Sequence, residues 1–509
     1  MPLRIDRIDR IVGDRPFAEI ERPALAVADQ DRGLLGVAGA PTWRRPVPVG
    51  VYGTGDLACR ALLRSRHPVC AMAFHPVLPL LAVGTGCYDG GYFFEGQLLI
   101  LSWDSGRVVS LIGGGRGRMV VGLEWLDEHA LQVLVAPPDD WQDKAAHQEG
   151  HVAVVSRPDW PAVTTSSLGH AELAGPRVPV PRSDGSLAAR AALTRAGPGW
   201  EPRRTVRAVE LLRDGRILAA LDGVALESWL PSGEREWSAP GIEGIEGGGR
   251  EIVVDEDRGM AWVSLVSSDW EGSKAVAGFS LSGGMLLDQV VPSVPVSLVR
   301  CANGRPALAP TGGHRPRAGF PVRNGSRVYF RTVDRPARVS AGPPAGGTEP
   351  WIVAAPMPGS GAQRPAEPAA TAVDRLFPHS WAPGERHFGG PGVEAPEGSL
   401  VHAGTVYHPR GRQPGGSFVI RRSAQAGTPL WVFRTDRPAT AMDADADHAY
   451  IGYDDGEIIV LGLRDGSVRH RARLTAGAVT AIPTALTVTA PAQLLVGTSD
   501  GRILDCSLH

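Results

Sequence analysis

Two stretches near the C-terminal end of the chain share one pattern of apolar and polar positions. Each has a β-rich apolar run, a polar turn ending in Asp-Gly, and a second β-rich run: HAYIGYDDGEIIVLGL from His448 and QLLVGTSDGRILDCSL from Gln493. The matching glycines Gly452 and Gly497 are 45 residues apart. Asp-Gly favours a tight hairpin because glycine tolerates a positive φ. Hairpins repeated at this period predict one four-stranded propeller blade per repeat.

The same alternation of apolar runs and Gly-containing turns extends through the chain and predicts nine pairs of second and third blade strands. They centre near Leu35, Leu81, Val133, Leu218, Trp262, Ala307, Val401, Tyr450 and Leu495. Since propellers usually have four to eight blades, we expect one all-β propeller of eight blades over residues 1–509, with seven and nine as alternatives. The last repeat has only three strands, so we expect Ile5–Val12 to add the fourth and close the ring. Residues 167–204 and 357–398, which is rich in Pro and Gly, are predicted as insertions between blades.

One repeat carries further motifs at the ends of its strands. The first strand ends in Phe74-His75-Pro76, the second in Gly84-Thr85 and the third in Trp103-Asp104. This stretch resembles the WD40-type repeat. The other repeats lack Trp-Asp and are equally similar to quinoprotein-type blades. The resemblance implies a propeller architecture and points to no subfamily of defined function.

Composition and charge narrow the class of partner. The 64 Gly and 44 Pro residues are typical of short strands and turns rather than long helices. The 52 basic and 54 acidic side chains leave a formal net charge of -2, which gives no basic footprint for nucleic acid or a membrane surface. Five widely spaced cysteines predict free thiols in a reducing compartment. Because the sequence shows no secretory signal and no membrane-spanning run, we expect a cytoplasmic protein.

The chain is longer than its blades require, and the surplus predicts a working surface. Eight blades of about 45 residues need about 360 residues. The longer loops fall between second and third strands, and strand alternation places them on one face together with the links between blades. These loops hold seven aromatic residues: Trp43, Tyr88, Tyr92, Phe93, Phe94, Trp141 and Trp270. Aromatic side chains anchor many protein interfaces, so we predict a non-enzymatic scaffold without a cofactor that binds a protein or peptide through this face.

Two other classes of function remain open on the sequence. His147, Glu149 and His151 alternate along one segment and could hold a divalent metal; a polar or metal site in the central funnel would make the protein a hydrolase or lyase. The third interpretation is a sensor of a sugar or another small molecule. Residues 497–501 match the Gly-x-Ser-x-Gly pattern, but they join two strands instead of a strand and a helix. We therefore expect Ser499 to be inert.

Overall fold

The structure is a computed structural model in which β-strands dominate. It describes residues 5–20, 22–41, 46–112, 118–141, 143–180, 185–197, 200–201, 203–242, 247–266, 275–291, 296–301, 306–310, 329–330, 353–356, 374–375, 386–395, 399–407, 415–422, 429–477 and 479–508. Over these residues, nine sheets of four or five strands are present, numbered I to IX in chain order.

Sheets I to III occupy the first part of the chain. Sheet I consists of Pro23–Asp29, Leu34–Gly39, Val47–Gly53 and Cys59–Ser65. Sheet II consists of Val69–Phe74, Leu80–Tyr88, Phe94–Ser102 and Val108–Ser110. Sheet III consists of Val120–Trp125, Ala130–Val135, Glu149–Ser156 and Arg177–Pro179.

Sheets IV to VI follow a short helical stretch. Sheet IV consists of Val206–Leu211, Ile217–Leu221, Val224–Trp229 and Arg235–Pro240. Sheet V consists of Gly248–Asp255, Met260–Val266, Ala275–Ser280 and Leu286–Val290. Sheet VI consists of Val296–Cys301, Pro306–Pro310, Tyr329–Phe330, Val353–Pro356 and Asp374–Arg375.

Sheets VII to IX complete the set. Sheet VII consists of Arg386–Glu394, Leu400–Tyr407, Ser417–Arg422 and Pro429–Thr435. Sheet VIII consists of Ala439–Ala444, His448–Tyr453, Glu457–Gly462 and Val468–Arg473. Sheet IX consists of Pro483–Ala490, Gln493–Thr498, Ile503–Leu508 and Ile5–Val12. The remaining elements are strands Thr475–Ala476 and Val479–Thr480, 3₁₀ helices His170–Leu173 and Glu256–Arg258, and α-helix Ser186–Ala196.

The strand order agrees with the up-and-down pattern expected from the sequence. Outside sheets VI and IX, each strand pairs antiparallel with the next one in the chain, and a strand is present at each of the nine predicted centres. The described residues thus form nine sheets of four or five strands. The sequence favours eight blades, with nine as an alternative. In sheet IX, Ile5–Val12 pairs antiparallel with Ile503–Leu508, the pairing predicted for the N-terminal segment.

Contacts group the chain into two compact units. The six-sheet unit comprises Met1–Asp14, Arg204–Ala476 and Thr480–His509, and the three-sheet unit comprises Arg15–Arg203 and Gly477–Val479. Sheets IV to IX belong to the first and sheets I to III to the second. One propeller domain over residues 1–509 stays a prediction from the sequence.

The three-sheet unit is a stack with a helix against its first sheet. Buried aliphatic residues fill the space between sheets I and II and between sheets II and III. Side chains alternate across a strand, so Leu34 packs toward sheet II while Leu35 lies on the other face of sheet I. On that other face Leu193 of the α-helix is buried with Phe17 and Tyr52. The helix therefore covers an apolar sheet face.

The six-sheet unit packs sheet IX against sheet IV. A core cluster joins Val12 and Ile503 of sheet IX to Val206 of sheet IV. The Thr484 hydroxyl donates to the Val206 carbonyl at 2.7 Å, as the Thr440 hydroxyl donates to the Pro483 carbonyl at 2.6 Å between sheets VIII and IX. One kind of hydrogen bond thus joins both pairs of sheets. If all nine sheets formed one ring in chain order, sheet IX would pack against sheet I instead of sheet IV.

The two predicted insertions contain regular structure that their composition did not reveal. Residues 167–204 include a 3₁₀ helix, the fourth strand of sheet III (Arg177–Pro179) and the α-helix. The second stretch, 357–398, lies largely outside the described residues, but the first strand of sheet VII (Arg386–Glu394) falls within it. These strands are not evident from the sequence because Pro, Gly and Arg interrupt their apolar runs.

Two glycines of the six-sheet unit offer a matched stability test. Gly259 and Gly466 both have a positive φ (+64° and +68°), which strains any residue with a Cβ. A Cβ on Gly259 meets no atom within 4 Å, whereas one on Gly466 lies 2.7 Å from the Trp431 ring. That ring is held by a 2.7 Å hydrogen bond from its Nε1 to the Leu463 carbonyl.

We expect Gly259→Ala to cost about 1–2 kcal/mol of unfolding free energy from backbone strain alone. Gly466→Ala should cost roughly 1–3 kcal/mol more because the ring must move. Urea unfolding of both variants measures the difference. Equal losses would contradict the close packing at Gly466.

Candidate binding surface

Two loops at the ends of neighbouring sheets pair with each other in the three-sheet unit. Residues 89–93 join the second and third strands of sheet II, and residues 136–148 join those of sheet III; they are called the paired loops below. Phe93 and Asp139 form an antiparallel bridge. The Phe94 amide donates to the Pro138 carbonyl at 3.1 Å, and the Asp140 amide to the Tyr92 carbonyl at 3.0 Å. The backbones therefore hold the loops together.

Aspartate side chains give both loops their local shape. The Asp89 Oδ1 atom accepts hydrogen bonds from the amides of Gly91, Tyr92 and Phe93 at 2.7–3.0 Å. In the second loop, Asp139 Oδ1 accepts from the Trp141 amide at 3.1 Å. Short acidic side chains favour such turns because they satisfy amides that no strand pairs. The aspartates thus order the loops from within.

A polar and aromatic cluster lies beneath the tips of the paired loops. The Tyr88 hydroxyl donates to Asp140 Oδ2 at 2.9 Å, and His147 Nε2 lies 3.0 Å from the same oxygen. The imidazole packs edge-on against the rings of Tyr88 and Phe94, with centroid distances of 4.8 and 4.9 Å. The hydrogen bond from His147 lowers the pKa of Asp140, although desolvation opposes it. The hydrogen bond to Asp140 raises the pKa of Tyr88.

Two aromatic side chains project above this cluster. Tyr92 is 50 % exposed and Trp141 is 60 % exposed, and their rings meet edge to face at 4.6 Å. Tyr92 lies in the loop of sheet II and Trp141 in the loop of sheet III. An exposed aromatic pair on an ordered base has little conformational entropy left to lose on binding, which suits it to anchor a partner.

The structure divides the seven predicted aromatics into three groups. Tyr92 and Trp141 are exposed. Tyr88 and Phe93 are half-buried and Phe94 is buried, so these rings support the loops. Trp43 and Trp270 lie outside the described residues. The sequence alone could not separate exposed from buried rings, because Tyr92, Phe93 and Phe94 are consecutive.

His147, Glu149 and His151 have three different partners. His147 bonds to Asp140, Glu149 forms an ion pair with Arg177 at 3.2 Å, and His151 Nδ1 lies 2.9 Å from the Gly175 carbonyl. Within the described ranges, no group of three His, Cys, Asp or Glu side chains is arranged to hold a metal ion. The arrangement gives no support to a metal site in this loop.

Ser499 occupies a buried turn of sheet IX. Its side chain is 7 % exposed, its amide donates to the Ile482 carbonyl at 2.9 Å, and its carbonyl accepts from the Thr205 hydroxyl at 3.1 Å. The neighbouring Asp500 and Arg502 form a buried ion pair at 2.6 Å. These contacts give the turn a structural role.

The Asp140 carboxylate predicts a pH dependence confined to the paired loops. Because its pKa is lowered in the folded state, its stabilisation is present above the unfolded pKa of about 3.9 and is lost as the pH falls through the lower, folded value. We expect wild-type residues 137–148 to lose hydrogen-exchange protection below about pH 4. Asp140→Asn should give lower protection that changes little over this window.

Asp127→Asn provides the matched control for that measurement. Asp127 lies in a turn at the other end of sheet III, and hydrogen bonds from the amides of His129 and Ala130 lower its pKa. We expect this variant to leave protection of residues 137–148 unchanged. Equal protection in wild type and Asp140→Asn at every pH would show that the Asp140 carboxylate does not stabilise the paired loops.

Comparison of the chain with protein-family models and with the curated proteins finds no match. In the part of the chain that the structure describes, no helix has the length and apolar character needed to cross a membrane.

Proposed function

We propose that this protein is a non-enzymatic, WD40-like β-propeller scaffold that binds a protein or peptide partner through the paired loops. The observation that carries the proposal is the exposed Tyr92–Trp141 pair above the Tyr88–Asp140–His147 cluster. Exposed rings held by an ordered base are typical of interface hot spots. Each loop is fixed to a strand, so the pair is presented on a rigid surface.

The propeller itself is proposed for the six-sheet unit. Neighbouring sheets from IV to IX are in contact, and sheet IX also contacts sheet IV, which supports a closed ring of six blades. Ring closure would leave no open sheet face in this unit, as expected for a propeller. Residues 15–203, with sheets I to III, are then an insertion between the N-terminal strand and the first blade of the ring.

The test of binding is a double substitution at the tips of the loops. A partner is first isolated from the native host by affinity capture with the full chain, and its affinity is then measured by calorimetry. Tyr92→Ala with Trp141→Ala should weaken binding about thirtyfold or more, since an interface anchor contributes about 2 kcal/mol or more. Both side chains are exposed, so the fold should be retained.

Val77→Ala with Leu126→Ala is the matched control. These exposed apolar residues lie in turns between first and second strands, at the other ends of sheets II and III. We expect the control to change the affinity less than about threefold. The proposal fails if the control abolishes binding while the aromatic variant binds normally.

A further inference from the structure

We propose that the outer strand of sheet VIII, Val468–Arg473, binds an acidic, extended segment of another protein as an added strand. This second binding surface belongs to the six-sheet unit and goes beyond the proposed function of the paired loops. Val468–Arg473 lies at the edge of its sheet, and among the described strands it pairs only with Glu457–Gly462. An edge strand offers backbone amides and carbonyls to an incoming strand.

Three exposed arginines lie together at one end of this strand. Arg471 and Arg473 share one face of sheet VIII, because they pair with Ile459 and Glu457, two positions apart on the third strand. Arg437 comes from the link between sheets VII and VIII. The three side chains are 56–62 % exposed. The end of the strand therefore presents guanidinium groups at its surface.

The carboxylates beside these arginines leave hydrogen-bond donors unused. Arg437 Nε and Arg473 Nη2 share Asp455 Oδ2 at 3.8 and 3.9 Å, which is within ion-pair range but too long for a hydrogen bond. Arg471 binds Glu457 through Nε and Nη2, at 2.6 and 3.0 Å. A guanidinium has five N–H donors, so carboxylates from outside can bind these groups without displacing Asp455 or Glu457.

Two other carboxylates of the adjoining turns face elsewhere. Asp436 Oδ1 accepts a hydrogen bond from the Gly415 amide of sheet VII. Asp454 is half-buried and has a partner other than these arginines. The accessible polar groups at this end of the strand are thus the three guanidiniums, which attract an acidic ligand.

Strand geometry gives the pattern of acidic residues that the segment needs. Side chains of an added strand alternate between the two faces, and those directly across from each other are about 5 Å apart. Acidic residues at every second position therefore lie beside Arg471 and Arg473. Backbone hydrogen bonds then supply affinity, while the alternating charges select against neutral and basic segments.

The experiment uses labelled peptides with the full-length protein. Binding of Ac-(Glu-Thr)₃-Glu-NH₂ is compared by fluorescence anisotropy with that of its Gln and Lys counterparts, and with a peptide of the same composition whose Glu residues are consecutive. At 50 mM NaCl we expect the alternating Glu peptide to bind about tenfold or more tightly than the Gln peptide, and the Lys peptide not to bind. The consecutive Glu residues should bind about fivefold more weakly, because only half of them can share one face.

Two double variants with the same change in charge separate this surface from the overall field of the protein. Arg437→Gln with Arg473→Gln should weaken binding of the alternating Glu peptide about tenfold or more. Arg213→Gln with Arg258→Gln removes exposed, ion-paired arginines from turns of sheets IV and V, and should change the affinity less than about threefold. Exposed ion pairs contribute little to stability, so both variants should keep the fold.

Amide hydrogen exchange tests the addition of a strand directly. Binding of the alternating Glu peptide should slow exchange in Val468–Arg473. Binding without this protection, or equal affinity of wild type and the Arg437→Gln, Arg473→Gln variant, would overturn the inference. Equally tight binding of a labelled thymidine heptanucleotide would also overturn it, because the surface would then attract polyanions in general.

The inference and the proposed function fail separately. The Tyr92→Ala, Trp141→Ala variant should bind the alternating Glu peptide as wild type does, and loss of binding there would contradict a site on sheet VIII. Conversely, a partner captured through the paired loops should keep its affinity for the Arg437→Gln, Arg473→Gln variant.

Discussion

Deletion of residues 2–12 is expected to lower the melting temperature of the six-sheet unit by about 10 °C. The deleted residues include the strand that pairs with Ile503–Leu508. Val12 is 1 % exposed in the cluster that joins sheets IX and IV, and Ile8 and Ile11 pack against the core of sheet IX. Loss of these contacts would leave an open sheet edge.

The size of the fall in melting temperature follows from the buried area lost with Ile8, Ile11 and Val12. At about 1.5–3 kcal/mol each for full burial, and less where burial is partial, their loss amounts to about 5 kcal/mol. In a large domain each kcal/mol shifts the melting temperature by about 2 °C. Deletion of residues 2–4 is the control because it keeps the whole paired strand. Equal melting temperatures for the two deletions would show that the N-terminal strand does not stabilise the fold.

The strands of the fold are predictable because their signals are local. The turns of residues 452–456 and 497–501 end in glycines with φ values of +86° and +87°, as Asp-Gly predicts. The pairing of Ile5–Val12 with the last strand was predictable too, since a three-stranded final repeat lacks one edge. The turn residues and the strand count of the last repeat are enough for these two predictions.

The packing of sheet IV against sheet IX was not predictable, because no local signal encodes it. Val12, Val206 and Ile503 meet in one cluster, but valine, isoleucine or threonine occurs in the first and third strands of most repeats and could pack against many partners. Chain order then favours sheet I, and only the three-dimensional packing selects sheet IV. Choosing between them requires contacts separated by hundreds of residues.

The cluster beneath the paired loops was also hidden in the sequence. Tyr88 and Asp140 are 52 positions apart and meet only because sheets II and III are adjacent. Alternation of His147, Glu149 and His151 along an extended segment predicts a shared side and hence a metal site. The observed partner of His147 is instead Asp140, seven residues earlier, across the turn of the loop. Spacing along an extended strand does not describe a loop that folds back.

Excision of residues 15–203 is expected to leave a folded six-sheet protein. The two ends of the excised segment approach one turn: Asp14 Oδ1 lies 3.6 Å from Arg502 Nη1, and the Thr205 hydroxyl donates to the Ser499 carbonyl at 3.1 Å. A linker of about eight Gly and Ser residues spans up to about 26 Å when extended, which is ample for ends that contact the same turn. We expect a soluble β-protein with one cooperative thermal transition by circular dichroism and calorimetry.

A deletion of equal length placed elsewhere is the decisive control. Removal of residues 66–254 with the same linker eliminates sheets II to IV and all but Asp255 of the first strand of sheet V, so sheet IX loses Val206 and the rest of its partner in the shared core. Exposing that apolar face should produce aggregation, because a large exposed apolar patch drives association. If removal of residues 15–203 also gives an aggregated or unfolded product, the six-sheet ring does not close on its own. If only the variant that lacks residues 15–203 folds cooperatively, contact between sheets IX and IV, rather than chain order, defines the ring.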